Sequence, residues 1–178
     1  RDTSYPQGRF TFAEAGAGPI ANTSMRGRVA PGQALIVGFV VPGISSAISP
    51  PIRSAYWAPM APGEHSRDIL IRVVGPSLTR LGVDGVWQDP DFQIYQGNVI
   101  ADLSQGHYPN WSEAPLGGVE ASASFRKIFD YVGAFPLMAG SKDAADILRL
   151  PPGSYTLVAS TREGDPGGEA LVEFYWLP

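Results

Sequence analysis

The feature that most constrains this chain is its punctuation. Glycine (21) and proline (17) together supply about a fifth of the 178 residues. Proline removes a backbone donor and glycine favours turns, so breaks this frequent suit many short strands better than long helices. The segments between the breaks fit that reading. "RDILIRVVGPSL" (67–78) alternates, with Ile69, Ile71 and Val73 on one side and Asp68, Leu70 and Arg72 on the other. "GGEALVEFYWLP" (167–178) sets Val172, Phe174 and Trp176 opposite Leu171, Glu173 and Tyr175.

Other stretches extend the pattern. "MRGRVAPGQALIVGFVV" (25–41) reads as a strand, a Pro31-Gly32 turn and a second strand. The run Leu35–Val41 is almost wholly apolar, which predicts a strand covered on both faces. "DFQIYQGNVIADL" (91–103) reads as a hairpin about Gln96-Gly97-Asn98, and "ADILRLPPGSYTLVAST" (145–161) as strand, Pro-Pro-Gly turn and strand. Residues 117–135 form the one helix candidate, with Val119, Phe125, Ile128, Phe129 and Val132 as an apolar stripe. Residues 42–66 hold a Pro-rich excursion with no period. The expected fold is all-β: a jelly-roll or Ig-like β-sandwich of about eight strands, with a short helical insert and an N-terminal extension. Residues 20–178 would form the sandwich and residues 1–19 a strand and tether.

Composition narrows the function classes. The net charge is -4 and the 13 basic residues are scattered, so the basic stripe of a nucleic-acid binder is missing. No apolar run approaches the ~18 residues of a membrane span. Cysteine is absent, which excludes disulfides and thiolate metal sites. The first residue, Arg1 rather than Met, reads as the start of a processed mature form.

Catalytic and metal chemistry find little support. The two histidines, His65 and His107, lie in polar loop context, and no nucleophile elbow accompanies Ser77, which reads as a turn residue. A zinc site from the histidines and Glu64 lacks motif spacing. Asp84, Asp89, Asp91 and Asp102 crowd the hairpin region without an EF-hand register, and Asx turns account for them as well as calcium does. The expectation is no catalytic residue, no metal and no cofactor. Tyr56, Trp57, Tyr108 and Trp111 lie in loops; they either cap the sandwich ends, anchor a protein interface or stack on sugar. "NTS" (22–24) and "NWS" (110–112) match the glycan acceptor pattern, the first inside an expected strand.

From about residue 20 the order of motifs resembles an uncharacterised β-rich domain of secreted and cell-surface proteins of environmental Gram-negative bacteria. The resemblance rests on "NTSMRGRVAPGQALIVGFVV" (22–41), "RDILIRVVGPSLTRLGV" (67–83), "DPDFQIYQGNVIA" (89–101), "NW" (110–111), "LPPGSYTLVAS" (150–160) and "GGEALVEFYWL" (167–177). It covers a little over half of the chain and implies a sandwich fold and an extracellular address, but no reaction. Residues 1–19, 42–66 and 112–144 depart from the pattern.

The first departure matters most. In "GRFTFAEAGAGP" (8–19), Phe10, Phe12 and Glu14 alternate with Arg9, Thr11 and Ala13, and Gly16, Gly18 and Pro19 then break the element. This strand on a tether either pairs within its own chain or is donated to a neighbour. The second option makes the protein a structural subunit of an extracellular homopolymer, built head to tail by donor-strand complementation. The alternative is an adhesive module that binds glycans through its loop aromatics.

Overall fold

The computed structural model describes residues 22–41, 66–101, 111 and 119–177. Among these, eight strands and one α-helix follow in the order β1 (Asn22–Val29), β2 (Ala34–Val41), β3 (Arg67–Val74), β4 (Gln93–Gln96), β5 (Val99–Ile100), α1 (Val119–Val132), β6 (Ala144–Leu150), β7 (Gly153–Ser160) and β8 (Gly168–Trp176). Two four-stranded antiparallel sheets result, one ordered β1-β8-β3-β6 and the other β2-β7-β4-β5. We term them the first and second sheets. The all-β sandwich is thus present, and its strand order is that of a double-sheet jelly roll.

That order gives the turns a role that residue type alone does not disclose. Pro31-Gly32 and Pro151-Pro152 do not close hairpins. Each carries the chain from the first sheet to the second, since β1 pairs with β8 and β2 with β7, while β6 pairs with β3. At the first arch Gly32 takes φ 71, Gln33 N–H bonds Ala30 O at 2.9 Å, and Gly32 N–H bonds Thr161 Oγ1 at 2.8 Å. Among the described residues only β4 and β5 form a hairpin between consecutive strands, about Gly97-Asn98 as the sequence predicts.

The centre of the first sheet, strands β3 and β8, is buried on both faces. Ile69, Ile71, Val73, Val172 and Phe174 point into the core between the sheets. Leu70, Val74 and Tyr175 point the other way, where Phe125, Phe129 and Val132 of α1 cover them together with Trp111. The alternation expected of β3 and β8 is therefore correct, with the second face roofed by the helix. After Val132 the helix stops at Gly133, whose φ of 71 admits the reversal, and Ala134 N–H returns to Phe129 O at 2.8 Å.

The end of β3 meets the start of β8 around Trp87. A 3₁₀ turn at Pro76–Leu81 follows β3, so the alternating segment ends as a strand at Val74. Residues 85–87 lie beside β8 in a parallel bridge of Val86 with Glu169, with Trp87 N–H bonded to Glu169 O and Glu169 N–H to Gly85 O, both at 2.9 Å. Two glycines make this approach possible. A Cβ at Gly75 would stand 1.9 Å from Trp87 O, and one at Gly168 only 2.4 Å from Trp87 N. These are the glycines of "GPSL" and "GGEALVEFY". Gly75→Ala should cost at least about 2 kcal/mol through overpacking. Gly38→Ala, whose Cβ would have no neighbour nearer than Tyr155 O at 4.0 Å, should be neutral or slightly stabilising in the same chemical denaturation series.

Candidate assembly seam and buried polar sites

A jelly roll of two four-stranded sheets has four edges, and two of them are sequence neighbours. β1 borders the first sheet and β2 the second, joined by the arch at residues 30–33. Partners across a ladder share a face, so pairing of Met25 with Val172 and of Thr23 with Phe174 places Thr23, Met25, Gly27 and Val29 on the inner side of β1. By the same rule Leu35, Val37, Phe39 and Val41 line the inner side of β2, opposite Ala159, Leu157, Tyr155 and Gly153.

These inward positions are not all covered. Val29 and Val41 are buried, but Leu35, Val37 and Phe39 are half-buried, Thr23 is exposed and Met25 keeps 37% of its surface open. The equivalent positions one strand further in, Leu157 and Ala159 on β7 and Ala170 and Val172 on β8, have no exposure. Among the described residues the core is therefore sealed at its centre and open along the β1/β2 seam. At Gly27 the missing side chain lets β2 come close, since a Cβ there would meet Leu35 Cδ1 at 3.1 Å. Phe39 leans inward on Phe174 at 4.7 Å and on Tyr155 at 5.5 Å between ring centroids. The outer face of β2 is open too, with Ile36 63% and Val40 56% exposed. This corrects the expectation that the Leu35–Val41 run is covered on both faces. An edge strand has a neighbour on one side only, and here one face also lacks a covering layer among the described residues.

The sequence-derived candidates distribute as follows. Arg9, Phe10, Thr11, Phe12, Ala13 and Glu14 lie outside the described residues, as do Tyr56, Trp57, Tyr108, His65, His107, Glu64 and Asp102. Trp111 does not offer a surface for sugar or protein. It is fully buried under α1, its ring N–H bonded to Ser141 Oγ at 3.1 Å and Met138 O at 3.2 Å. Its backbone N–H bonds Asp143 O at 2.8 Å, and Phe129 packs on the ring at 5.9 Å. Asn22 of the "NTS" triplet sits within β1.

Ser77 belongs to the same buried polar cluster. Its hydroxyl donates to Asp143 and accepts Met138 N–H at 2.8 Å, while Asp143 Oδ1 also takes the N–H groups of Gly75 and Ser77 at 2.8 and 3.2 Å. Ser141 Oγ completes the set on Asp143 Oδ2. The carboxylate ties the end of β3 to the start of β6 and to Trp111. Nearby, Asp91 pairs with Arg162 at 3.0 Å and Asp89 with Lys142 at 2.8 Å, so these acids are engaged by cations. Among the described residues no three acidic or histidine side chains converge on a point where a metal could bind.

A second buried site lies between the first sheet and α1. Arg72 on β3 and Glu173 on β8 face each other in the ladder, with Nε and Oε2 3.1 Å apart and both side chains almost without exposure. The approach is off the line an N–H needs for a hydrogen bond, and Nη2 has no hydrogen-bond partner among the described residues. Nη1 bonds Phe135 O at 2.9 Å, and the guanidinium lies 4.6 Å from the ring centres of both Phe129 and Phe135. Desolvation lowers the Arg72 pKa, with the Glu173 charge opposing it. Tyr175 donates to Glu173 Oε1 at 2.9 Å; burial first, then the Glu173 charge and this hydrogen bond, push its hydroxyl far above the usual tyrosine range. The group lies between helix and sheet and is almost wholly buried.

No protein-family model matches this chain, and no curated protein is similar to it.

Removing one member of the buried pair leaves the other charged and unpaired. Arg72→Met and Glu173→Leu should each cost about 3–5 kcal/mol, whereas the double variant should recover most of that loss. Urea midpoints of the three variants form the cycle that checks it. Tyr175 adds a pH effect. The unfolded chain ionises this hydroxyl near pH 10, and the folded chain holds the proton to higher pH. Its contribution is therefore complete below pH 10 and is lost as pH rises beyond it. Tyr175→Phe should flatten the alkaline limb of the stability–pH curve.

Proposed function

We propose that the protein is a structural subunit of an extracellular homopolymeric filament, in which residues 9–14 of one copy enter the β1/β2 seam of the next. The reading is carried by one observation: half-covered Leu35, Val37 and Phe39 line the inner face of the edge strand β2, beside the exposed Met25 of β1, in a sandwich whose centre is closed among the described residues. An edge of this kind attracts a strand, because unpaired backbone and half-exposed apolar side chains are satisfied together by one extended segment. "RFTFAE" (9–14) has the matching pattern, with Phe10 and Phe12 on one face, and Gly16, Gly18 and Pro19 supply the tether. A donation of this type is heterologous, so it propagates head to tail rather than closing as a dimer. The extracellular address rests on the resemblance of the motifs at 22–41, 67–83, 89–101, 110–111, 150–160 and 167–177 to domains of exported proteins. The burial of Trp111 weakens the glycan-binding alternative by one of its four aromatics.

The test is assembly of the whole chain with its plugs altered. Negative-stain images of the natural protein should contain fibres of uniform width. Phe10→Asp/Phe12→Asp and a deletion of residues 1–19 should both leave dispersed particles with an unchanged thermal transition of the sandwich. Fibres that persist in both variants would overturn the reading.

A further inference from the structure

The four edges of the two sheets differ in how they are protected. β1 carries Arg26 and Arg28 on its outer side, where Arg26 reaches Glu169 at 3.1 Å. β6 carries Arg149 and, on the side facing the inter-sheet core, Asp146. β5 is two residues long. Surface charge, an inward-pointing charge and shortness are the devices that keep an edge from recruiting strands. β2, "ALIVGFVV", has none of them: eight residues with neither charge nor proline. Its neighbours on the outer face of the second sheet, Thr156, Val158, Gln93 and Tyr95, are uncharged as well.

Resting on the filament reading above, we infer that β2 rather than β1 receives the donated strand, and that residues 9–14 of a second copy add to it antiparallel. The direction follows from the path of the chain. β1 ends and β2 begins at the arch of residues 30–33, so Asn22 and Val41 both lie at the end away from it. The donor segment precedes Asn22 and therefore leaves its own subunit at that far end. In a head-to-tail fibre every copy points the same way, so the segment enters the next copy at the arch end, with Glu14 nearest the arch and Arg9 deepest. Read from Arg9 to Glu14 it then runs against β2 and along β1. Antiparallel pairing suits a sheet whose every existing ladder is antiparallel, and only β2 offers it to a strand arriving in this direction. A segment folded back onto β2 of its own chain would run parallel to it. The tether of residues 15–21 spans at most about 25 Å when extended. The register that keeps both rings inward and all six donor residues against Ala34–Val41 sets Phe10 opposite Phe39 and Phe12 opposite Val37. It places Ala13 beside Ile36 and Arg9 beside Val40 on the outer face.

The chain has no cysteine, so engineered pairs report without background. Five double variants are assembled under reducing conditions, checked for fibres by microscopy, oxidised and run on non-reducing gels. Ala13→Cys/Ile36→Cys and Arg9→Cys/Val40→Cys should give reducible intermolecular ladders. The swapped pairs, Ala13→Cys/Val40→Cys and Arg9→Cys/Ile36→Cys, should lose them, as should Thr11→Cys/Arg26→Cys on β1. A ladder from the swapped pairs overturns the antiparallel direction. A ladder from the β1 pair, with the β2 pairs silent, overturns the choice of edge and leaves the filament reading standing. Disulfides confined to single chains overturn both.

Discussion

The centre of the first sheet is buried on two sides, and that constraint organises the rest of the molecule. β3 and β8 pair at its centre, Ile71 against Phe174 and Val73 against Val172, and both faces of this ladder are closed. One face needs the second sheet and the other needs α1. The helix in turn cannot sit on a purely apolar surface, because the ladder also brings Arg72 and Glu173 opposite each other beneath it. Their charges are taken up by Tyr175, Phe135 O and two aromatic faces, which fixes where the helix lies. Such a pair contributes less to net stability than to position, since the cost of desolvation offsets most of the attraction.

The second sheet is built under a different constraint, and the asymmetry accounts for the functional reading. It has no helix on its outer face among the described residues, and its border strand β2 has no charge. Three edges carry the usual protections against strand addition and one does not. An unprotected edge is a hazard in a monomer and an asset in a polymer, so the absence of charge in β2 is best understood together with the apolar alternation in residues 9–14. The glycines serve the closed part of the fold instead: Gly75 and Gly168 bring Trp87 against β8 and lock the far side of the sandwich.

Local patterns were readable wherever the physics is local. The alternation of residues 67–74 and 168–176 gave both faces of β3 and β8, the stripe at Phe125, Phe129 and Val132 gave the buried side of α1, and Gln96-Gly97-Asn98 marked a true hairpin. The arches at Pro31-Gly32 and Pro151-Pro152 carried the same turn chemistry as a hairpin, and nothing in those residues says that the next strand joins the other sheet. That choice depends on β7 and β8, more than a hundred residues beyond the first arch. Trp111 had no periodic neighbours to reveal its burial, because Met138, Ser141 and Phe129 meet it only in three dimensions. The Leu35–Val41 run looked like an interior strand for a related reason: apolar composition records what a strand can bury, and does not say whether the covering surface belongs to its own chain.

The central claim is that the open side of β2 is filled by a strand from a neighbouring copy. Amide hydrogen exchange of assembled protein, compared with the dispersed Phe10→Asp/Phe12→Asp variant, addresses it directly. Alternate β2 amides bond to β7 and should be protected in both. The remaining β2 amides point away from β7; they should exchange rapidly in the dispersed variant and become protected only on assembly. Equal exchange of those outward amides in the two states would contradict the account.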